Sequence, residues 1–281
     1  MSVTRKITND ELHIHIKNIK LDGYTVIKDY IPGNKADKLK QIAGDLYKDL
    51  ELKLNQKAPV GLQHVIKDDY IINNIPCLSS DYLDICTTGD HLEVLKFFLN
   101  DPYYSLIPKN DPNFTLAQAN LRAGKVSLPF HVDVRLVTPG YESWSYQGYL
   151  ALEKIEKKSG CLRVIPKSHL LPQMPDSTKE YNNAIDLPLD QGDIIIFSSQ
   201  LHHATHKCKK DVATPWTLLL TYRSWWCKQQ FDFLKMIDPN LFKNLNNNQK
   251  LLLGACSQIP DNIYASPSSR QGYEALDNFS R

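Results

Sequence analysis

Gly192-Asp-Ile-Ile-Ile-Phe-Ser-Ser-Gln-Leu-His-His-Ala-Thr205 reads as a turn, a short apolar run, a polar turn and the start of a second run. The stretch Asp193–Phe197 has strand length rather than helix length, and its isoleucines are β-branched. Similar runs recur on both sides: Thr115–Leu121, Phe130–Leu136, Tyr146–Leu152, Cys161–Ile165, Ile185–Leu189, His203–His206 and Trp216–Tyr222. Gly124, Pro139-Gly140, Ser159-Gly160, Pro166, Pro188 and Gln191-Gly192 punctuate them. Many short strands with frequent turns predict a β-sandwich or small barrel.

The flanks differ. Thr8-Asn-Asp-Glu11 is a capping-box pattern, followed by Leu12, His15, Ile16 and Ile19 at helical spacing, and Gly23 ends that helix. Tyr24-Thr-Val-Ile27 is an early strand, closed by Pro32-Gly33. Ala36 to Leu54 and Leu92 to Leu99 carry helical periodicity, and the stretch from about Ala58 to Pro76 matches no template. After Phe231 the chain returns to helix and loop, with an Asn-rich stretch from Asn244 to Asn248. The 281 residues divide into about two average domains, but a single barrel often reaches this length, and no linker or repeat interrupts the chain. We expect one domain over residues 1–281: a mainly helical region to about 112, a β core over about 113–225, and a helical and loop tail over 226–281.

Composition narrows the function classes. With 33 Lys+Arg against 31 Asp+Glu the net charge is +2, too small for a global nucleic-acid footprint. The longest apolar runs fall far short of the roughly 18 residues of a membrane span, and MSVTRKITNDELHIHIK lacks the apolar core of a secretory signal. The six cysteines are scattered without a C-x-x-C pair, which argues for reduced thiols and a cytoplasmic location. The expected partner is a small molecule, with neither nucleic acid nor membrane involved; oligomeric state is not legible.

The histidines carry the chemistry. His131 stands two residues before Asp133, and residues two apart on a strand share a face. His202, His203 and His206 crowd one later segment. Barrel closure that brings one of these beside His131 and Asp133 makes a set of two imidazoles and one carboxylate. Such a set binds one face of octahedral Fe(II) and leaves positions open for substrate and oxygen.

Three stretches in order, Phe130-His-Val-Asp-Val134, Gly160-Cys-Leu-Arg-Val-Ile-Pro-Lys-Ser-His169 and Gly192-Asp to His203, follow the early strand Asp22-Gly-Tyr-Thr-Val-Ile27. In this combination the chain resembles the phytanoyl-CoA dioxygenase family of Fe(II)- and 2-oxoglutarate-dependent oxygenases, from Asp22 through about Tyr222. The resemblance implies a mainly β fold with flanking helices around a double-stranded β-helix, the cupin-like jelly roll. It implies Fe(II) held by His131, Asp133 and His203, with 2-oxoglutarate and O₂ as co-substrates. His203 is the family's distal ligand position, followed two residues on by Thr205; His202 is out of phase, His206 falls off the His203 face, and His169 is structural. Family halogenases carry Gly or Ala in place of the carboxylate, so Asp133 implies hydroxylation of an unactivated C–H, coupled to decarboxylation of the keto acid to succinate and CO₂.

The pattern breaks at the co-substrate anchor. Relatives hold the distal carboxylate of the keto acid with an arginine at the start of the last strand, because a buried carboxylate needs the guanidinium fork. Here that region reads Lys207-Cys-Lys-Lys-Asp-Val-Ala-Thr-Pro-Trp-Thr217, and Trp216 falls nearest. Arg122 is the favoured substitute, with Asn120 two residues away on the same face and Thr205 as hydrogen-bond partner. Arg223, at the close of the last strand, is a further candidate. Arg135 is a candidate for either the keto acid or an anionic substrate. Trp225, with Trp226 and Tyr222, is a candidate pocket wall, and Thr138 to Tyr146 a candidate lid. Two other readings stay open: an iron oxygenase that does not use 2-oxoglutarate, and a catalytically silent jelly-roll binding protein.

Overall fold

The computed structural model describes residues 4–56, 69–104, 107–125, 127–134, 136–138 and 140–257. Helix α1 (Asn9–Asp22) starts on the capping box: Glu11 N donates to Thr8 Oγ1 (3.3 Å) and Thr8 N to Glu11 Oε2 (2.9 Å). It stops at Gly23, whose φ of 88° lies in the left-handed region. A Cβ there would approach His169 Nδ1 to 2.6 Å, so glycine is required twice over. Strand β1 (Tyr24–Ile27) follows directly. Helix α2 (Gly33–Gln56) and helix α4 (His91–Leu99) fall where the periodicity predicts helices. Between them lie strand β2 (Asp69–Ile72) and helix α3 (Ser80–Thr88). Neither is predicted from the sequence: α3 is no shorter than α4, but its mixed polarity gives no apolar run to mark it.

The β core runs through β3 (Phe114–Gly124), β4 (Ser145–Ala151), β5 (Leu162–Val164), β6 (Ile185–Leu187), β7 (Ile194–Ser198), β8 (His203–Thr205) and β9 (Thr217–Ser224). One sheet has the order β1-β7-β4-β9-β3-β2 and the other β6-β5-β8, with every pairing antiparallel. Strand β7 shows why the two sheets stack. Ile194 and Ile196 pack into the core shared with the helices, beside Ile19, Leu39 and Leu95. Ile195 and Phe197 point the other way, against Leu162 and Val164 of the small sheet. A strand buried on both faces reads as an unbroken apolar run, as this one does. The large sheet therefore has helices on one face and the small sheet on the other, which is the jelly-roll arrangement.

Strand β3 carries the one irregularity that matters for function. Its pairing with β9 slips between Leu116 and Gln118, a β-bulge. Before the bulge, Phe114 and Leu116 face the helices; after it, Ala119 and Leu121 do. The extra residue flips the alternation, so Gln118, Asn120 and Arg122 face the space between the sheets.

Phe130–Leu136 is not the strand the sequence predicts. Among its described residues only His131 pairs, in a single bridge with His203. Pro129 has no N–H to extend the ladder, and the Asp133 N–H turns away to the Ser199 carbonyl (2.8 Å). The tail forms short helices α5 (Phe233–Met236), α6 (Pro239–Lys243) and α7 (Asn247–Leu252). The Asn-rich stretch starts α7, with Gln249 N donating to the Asn246 side chain (3.0 Å). All six cysteines are free. Among the described residues no helix is long and apolar enough to cross a membrane.

Candidate metal centre

His131 and His203 exchange both backbone hydrogen bonds, His131 N to His203 O (2.9 Å) and the reverse (3.0 Å). Residues paired in this way project side chains to the same side, and the ring centroids lie 4.2 Å apart. Asp133 joins them because its backbone is hooked to Ser199. Ser199 is itself fixed: its Oγ donates to Ser145 Oγ (2.9 Å) and accepts from Gln147 Nε2 (2.9 Å), and Thr221 Oγ1 donates to Gln147 Oε1 (2.7 Å). Asp133 Oδ1 then sits 3.6 Å from His131 Nε2, and Oδ2 3.4 Å from His203 Nε2.

The tautomers follow from the partners. His131 Nδ1 lies 2.8 Å from the Pro129 carbonyl and His203 Nδ1 2.8 Å from the Leu201 carbonyl. A carbonyl only accepts, so both Nδ1 atoms carry protons, and in a neutral ring Nε2 keeps its lone pair. Burial lowers the His203 pKa, as does the neighbouring His131; Asp133 opposes this in part. The neutral His203 ring therefore presents a bare Nε2 to a carboxylate oxygen. Electron-rich atoms converging without a proton between them repel one another, and a bound cation relieves the repulsion. The donor set fits a divalent transition metal: two imidazole nitrogens and a carboxylate on one side, with open space beyond them. His203 is almost fully enclosed, with the Phe197 ring edge-on to it, whereas His131 and Asp133 are about a third exposed.

That space is a cavity of about 340 Å³ between the sheets, lined by all three of these residues. This is a size ordinary for a small-molecule site. Gln118, Arg122, Gln147, Tyr149, Thr217, Leu219, Thr221 and Arg223 line its large-sheet wall, and Leu162, Thr205 and His206 its other wall. Arg122 lies directly opposite Thr217, the first residue of β9. It thus projects into the cavity from the neighbouring strand, level with the start of β9. Trp216 packs instead against the Tyr47 ring. Thr205 Oγ1 accepts from Leu128 N (2.8 Å), leaving its own O–H to donate into the cavity. Asn120 shares the Arg122 face but is 5 % exposed, does not line the cavity, and its Oδ1 has no hydrogen-bond partner.

Arg223 faces the same cavity from the far end of β9. Arg135 lies outside the described residues. Trp225 is a correction: it does not line the cavity. It packs on Tyr104 (centroids 4.8 Å) and donates from Nε1 to Asp101 Oδ2 (3.0 Å), because the chain turns away after Ser224. Tyr222 is likewise core, its hydroxyl donating to the Cys86 carbonyl (2.7 Å). His202 turns from the metal centre, its Nε2 donating to the Gln173 carbonyl (2.9 Å). His206 reaches the cavity rim, but its Nε2 donates to Asp186 (2.6 Å). Cys161, Asp186 and His206 form a second close group. There Asp186 already pairs with Lys157 (3.0 Å) and Arg163 (3.4 Å), and burial pushes the Cys161 thiol up to about 11. This is a satisfied ion-pair network beside a neutral thiol. Sequence reading missed Gln147, Ser199 and Thr221. Polar residues at alternate positions of otherwise apolar strands were the available signal.

The family model for phytanoyl-CoA dioxygenase matches residues 19–209. Uncharacterized proteins of Mycobacterium tuberculosis (strain H37Rv) and Mycobacterium bovis are each 26% identical over 149 residues, which is 51% of this chain and 53% of theirs. The chain spans about half the length of these curated relatives. Among solved structures, HygX from Streptomyces hygroscopicus with nickel and 2-oxoglutarate superposes with a TM-score of 0.58 at 12% identity, covering 80% of this chain and 90% of HygX. The epimerase SnoN in complex with Fe3+ and alpha ketoglutarate gives 0.56 at 14%, covering 78% and 86%. The non-heme monooxygenase ThoJ gives 0.58 at 16%, covering 77% and 80%. These likenesses establish the jelly-roll fold, and with the family match the chain belongs to the phytanoyl-CoA dioxygenase family of Fe(II)- and 2-oxoglutarate-dependent oxygenases.

Proposed function

We propose that this protein oxidises an unactivated C–H of a small molecule, most simply by hydroxylation, with Fe(II) held by His131, Asp133 and His203. The carrying observation is the convergence of two imidazole nitrogens on one carboxylate, at 3.6 Å and 3.4 Å, at the wall of the cavity. Bound iron supplies the oxygen activation and one-electron chemistry that amino-acid side chains lack. The chain's own part is geometric. Pro129 and Leu201 hold the two rings in the metal-binding tautomer, and Ser199 sets the carboxylate. Arg122 pairs with the distal carboxylate of 2-oxoglutarate, and the Thr205 hydroxyl donates to the same group. Asp133 fills the position that halogenases leave small, which favours oxygen transfer over halogenation. HygX has been solved with hygromycin B bound, and SnoN with a nogalamycin derivative. Those neighbours support a small-molecule substrate. They also include an epimerase and a carbocyclase, so the outcome of C–H oxidation is open to the substrate pose.

The test is an anaerobic titration of the purified chain with Fe(II) and then 2-oxoglutarate. A weak visible charge-transfer band at one iron per chain is expected, and one succinate per oxidised product on turnover. Iron binding without the band favours an oxygenase that does not use 2-oxoglutarate, a reading motivated by the missing arginine at the start of β9. No iron binding overturns the proposal in favour of a binding protein.

A further inference from the structure

Arg223 occupies the junction between the metal cavity and an open groove of about 920 Å³, and it lines both. The groove wall carries Phe97, Leu136, Tyr141, Trp144 and Trp226. Four of these are large apolar side chains left 40–66 % exposed on one face, more clustered than scattered surface apolar residues are. The groove is also electropositive. Lys228 lines it, and Lys20 Nζ sits 4.3 Å from the Phe97 ring centre and 5.1 Å from that of Tyr141. Glu142 is the one carboxylate among its described lining residues; it is exposed and makes no ion pair with Arg223.

The guanidinium itself is under-used. Arg223 Nε is buried without a hydrogen-bond partner, Nη1 reaches only the Lys228 carbonyl at 3.4 Å, and the group lies 5.7 Å from the Trp144 ring centre. Among the described residues Arg223 has no carboxylate partner. A guanidinium that lines a groove without a carboxylate partner can pair with an anion.

Arg122 is the co-substrate partner proposed above, which leaves Arg223 for a second anion. Arg122 pairs with Thr217 and Arg223 lies six residues further along β9, roughly 20 Å at the usual strand rise. The Arg223 guanidinium lies beside the Trp144 ring and lines the groove as well as the cavity. A five-carbon diacid is roughly 7 Å long, so one held by Arg122 meets Arg223 only if both side chains extend fully toward each other. Meanwhile Arg223 is near the metal sideways: it pairs with Ser145, which bonds Ser199, which holds Asp133. The geometry points to Arg223 as a substrate anchor that takes a carboxylate or phosphate of a small molecule whose apolar, ring-bearing body lies in the aromatic groove. The substrate class is then an organic anion rather than a neutral molecule. This rests on the metal centre proposed above only for the statement that the anchored molecule is the one oxidised.

The test uses 3-phenylpropionate, phenyl phosphate and neutral 3-phenylpropanamide as probes. Tryptophan emission reports binding, since Trp144 and Trp226 line the groove. It is read in the anaerobic Fe(II) and 2-oxoglutarate complex and again in the metal-free chain. At least one anion should quench saturably and bind at least tenfold more tightly than the amide. Arg223→Gln should abolish that preference and Arg223→Lys retain part of it, each with an unchanged thermal midpoint. Whichever anion binds better identifies the headgroup. Equal binding of anion and amide, or no quenching by either anion, overturns the proposal. So does a visible-band titration in which Arg223→Gln weakens 2-oxoglutarate as much as Arg122→Ala does. Absence of the band in every variant counts against the metal-centre reading instead, because the quenching in the metal-free chain is independent of it.

Discussion

Thr217 stands opposite Arg122 across the β3–β9 ladder and donates from Oγ1 to the Arg122 carbonyl (3.0 Å). Arg122 thereby reaches the cavity wall level with the start of β9, and the proposal that it holds the distal carboxylate of 2-oxoglutarate can be tested directly. Arg122→Ala should weaken 2-oxoglutarate roughly 10- to 100-fold, the loss of about 1.5–3 kcal/mol expected for a hydrogen bond to a charged group. Iron affinity should stay within about twofold. The visible band of the anaerobic complex measures both, and a wild-type 2-oxoglutarate affinity would refute the assignment.

His203→Ala removes the best-enclosed ligand and should abolish Fe(II) binding measured by anaerobic calorimetry. His202→Ala should keep it, because that ring bonds the Gln173 carbonyl instead. Gln147→Leu is the subtler variant. It frees Ser199, whose carbonyl holds Asp133, and supporting residues of this kind are typically worth about 10- to 100-fold in metal affinity. Equal iron binding by the His203 and His202 variants would remove the ligand assignment.

His91 sets an acid limit on stability. It is fully buried between Tyr30 and Tyr222. Tyr222 spends its proton on the Cys86 carbonyl, so His91 Nε2–H donates to Tyr222 and Nδ1 accepts from Tyr30. The pocket suits the neutral ring, and burial lowers its pKa from 6.5 to about 3. Between these values the unfolded chain binds a proton that the folded chain does not. Stability is therefore retained above pH 6.5 and falls on acidification, by about 1.4 kcal/mol per pH unit. Urea unfolding at pH 7 and pH 5 should show a smaller difference in His91→Gln than in the parent. Equal differences would refute the account.

Gly192 has a φ of 91°, and a Cβ there would lie 2.3 Å from the Ile31 carbonyl oxygen. The same turn accepts the Ile31 N–H at 3.1 Å and precedes Asp193, which takes hydrogen bonds from Asp29 N, Asp190 N and Lys28 Nζ. Gly192→Ala should cost about 1–3 kcal/mol or more in urea unfolding. A change below about 0.5 kcal/mol would show that this turn does not lock β1 to β7.

Much of the fold was legible because its signals are local. Thr8 and Glu11 cap α1 within one turn, Gly23 ends it, and Asp193–Phe197 has strand length and β-branched residues between turn signals. Helix α3 was not legible, since nine residues of mixed polarity carry no clear period. Phe130–Leu136 was misread because its alternation is real while its backbone partners are Ser199 and His203 in different places. Trp225 was misplaced for a similar reason: its ring direction depends on how the chain leaves β9.

By themselves the residues determined which groups have metal-binding chemistry, the strand-rich core, and the gap where an arginine is usually found. Tertiary structure alone decided which side chains face the cavity. The β3 bulge turns Arg122 from the helical core to the cavity, the His131–His203 bridge aims two rings at one carboxylate, and the end of β9 turns Arg223 toward the aromatic groove. The reason is physical: side-chain direction on a strand reverses with every residue of register, and register is set by the partner strand, not by the strand's own sequence.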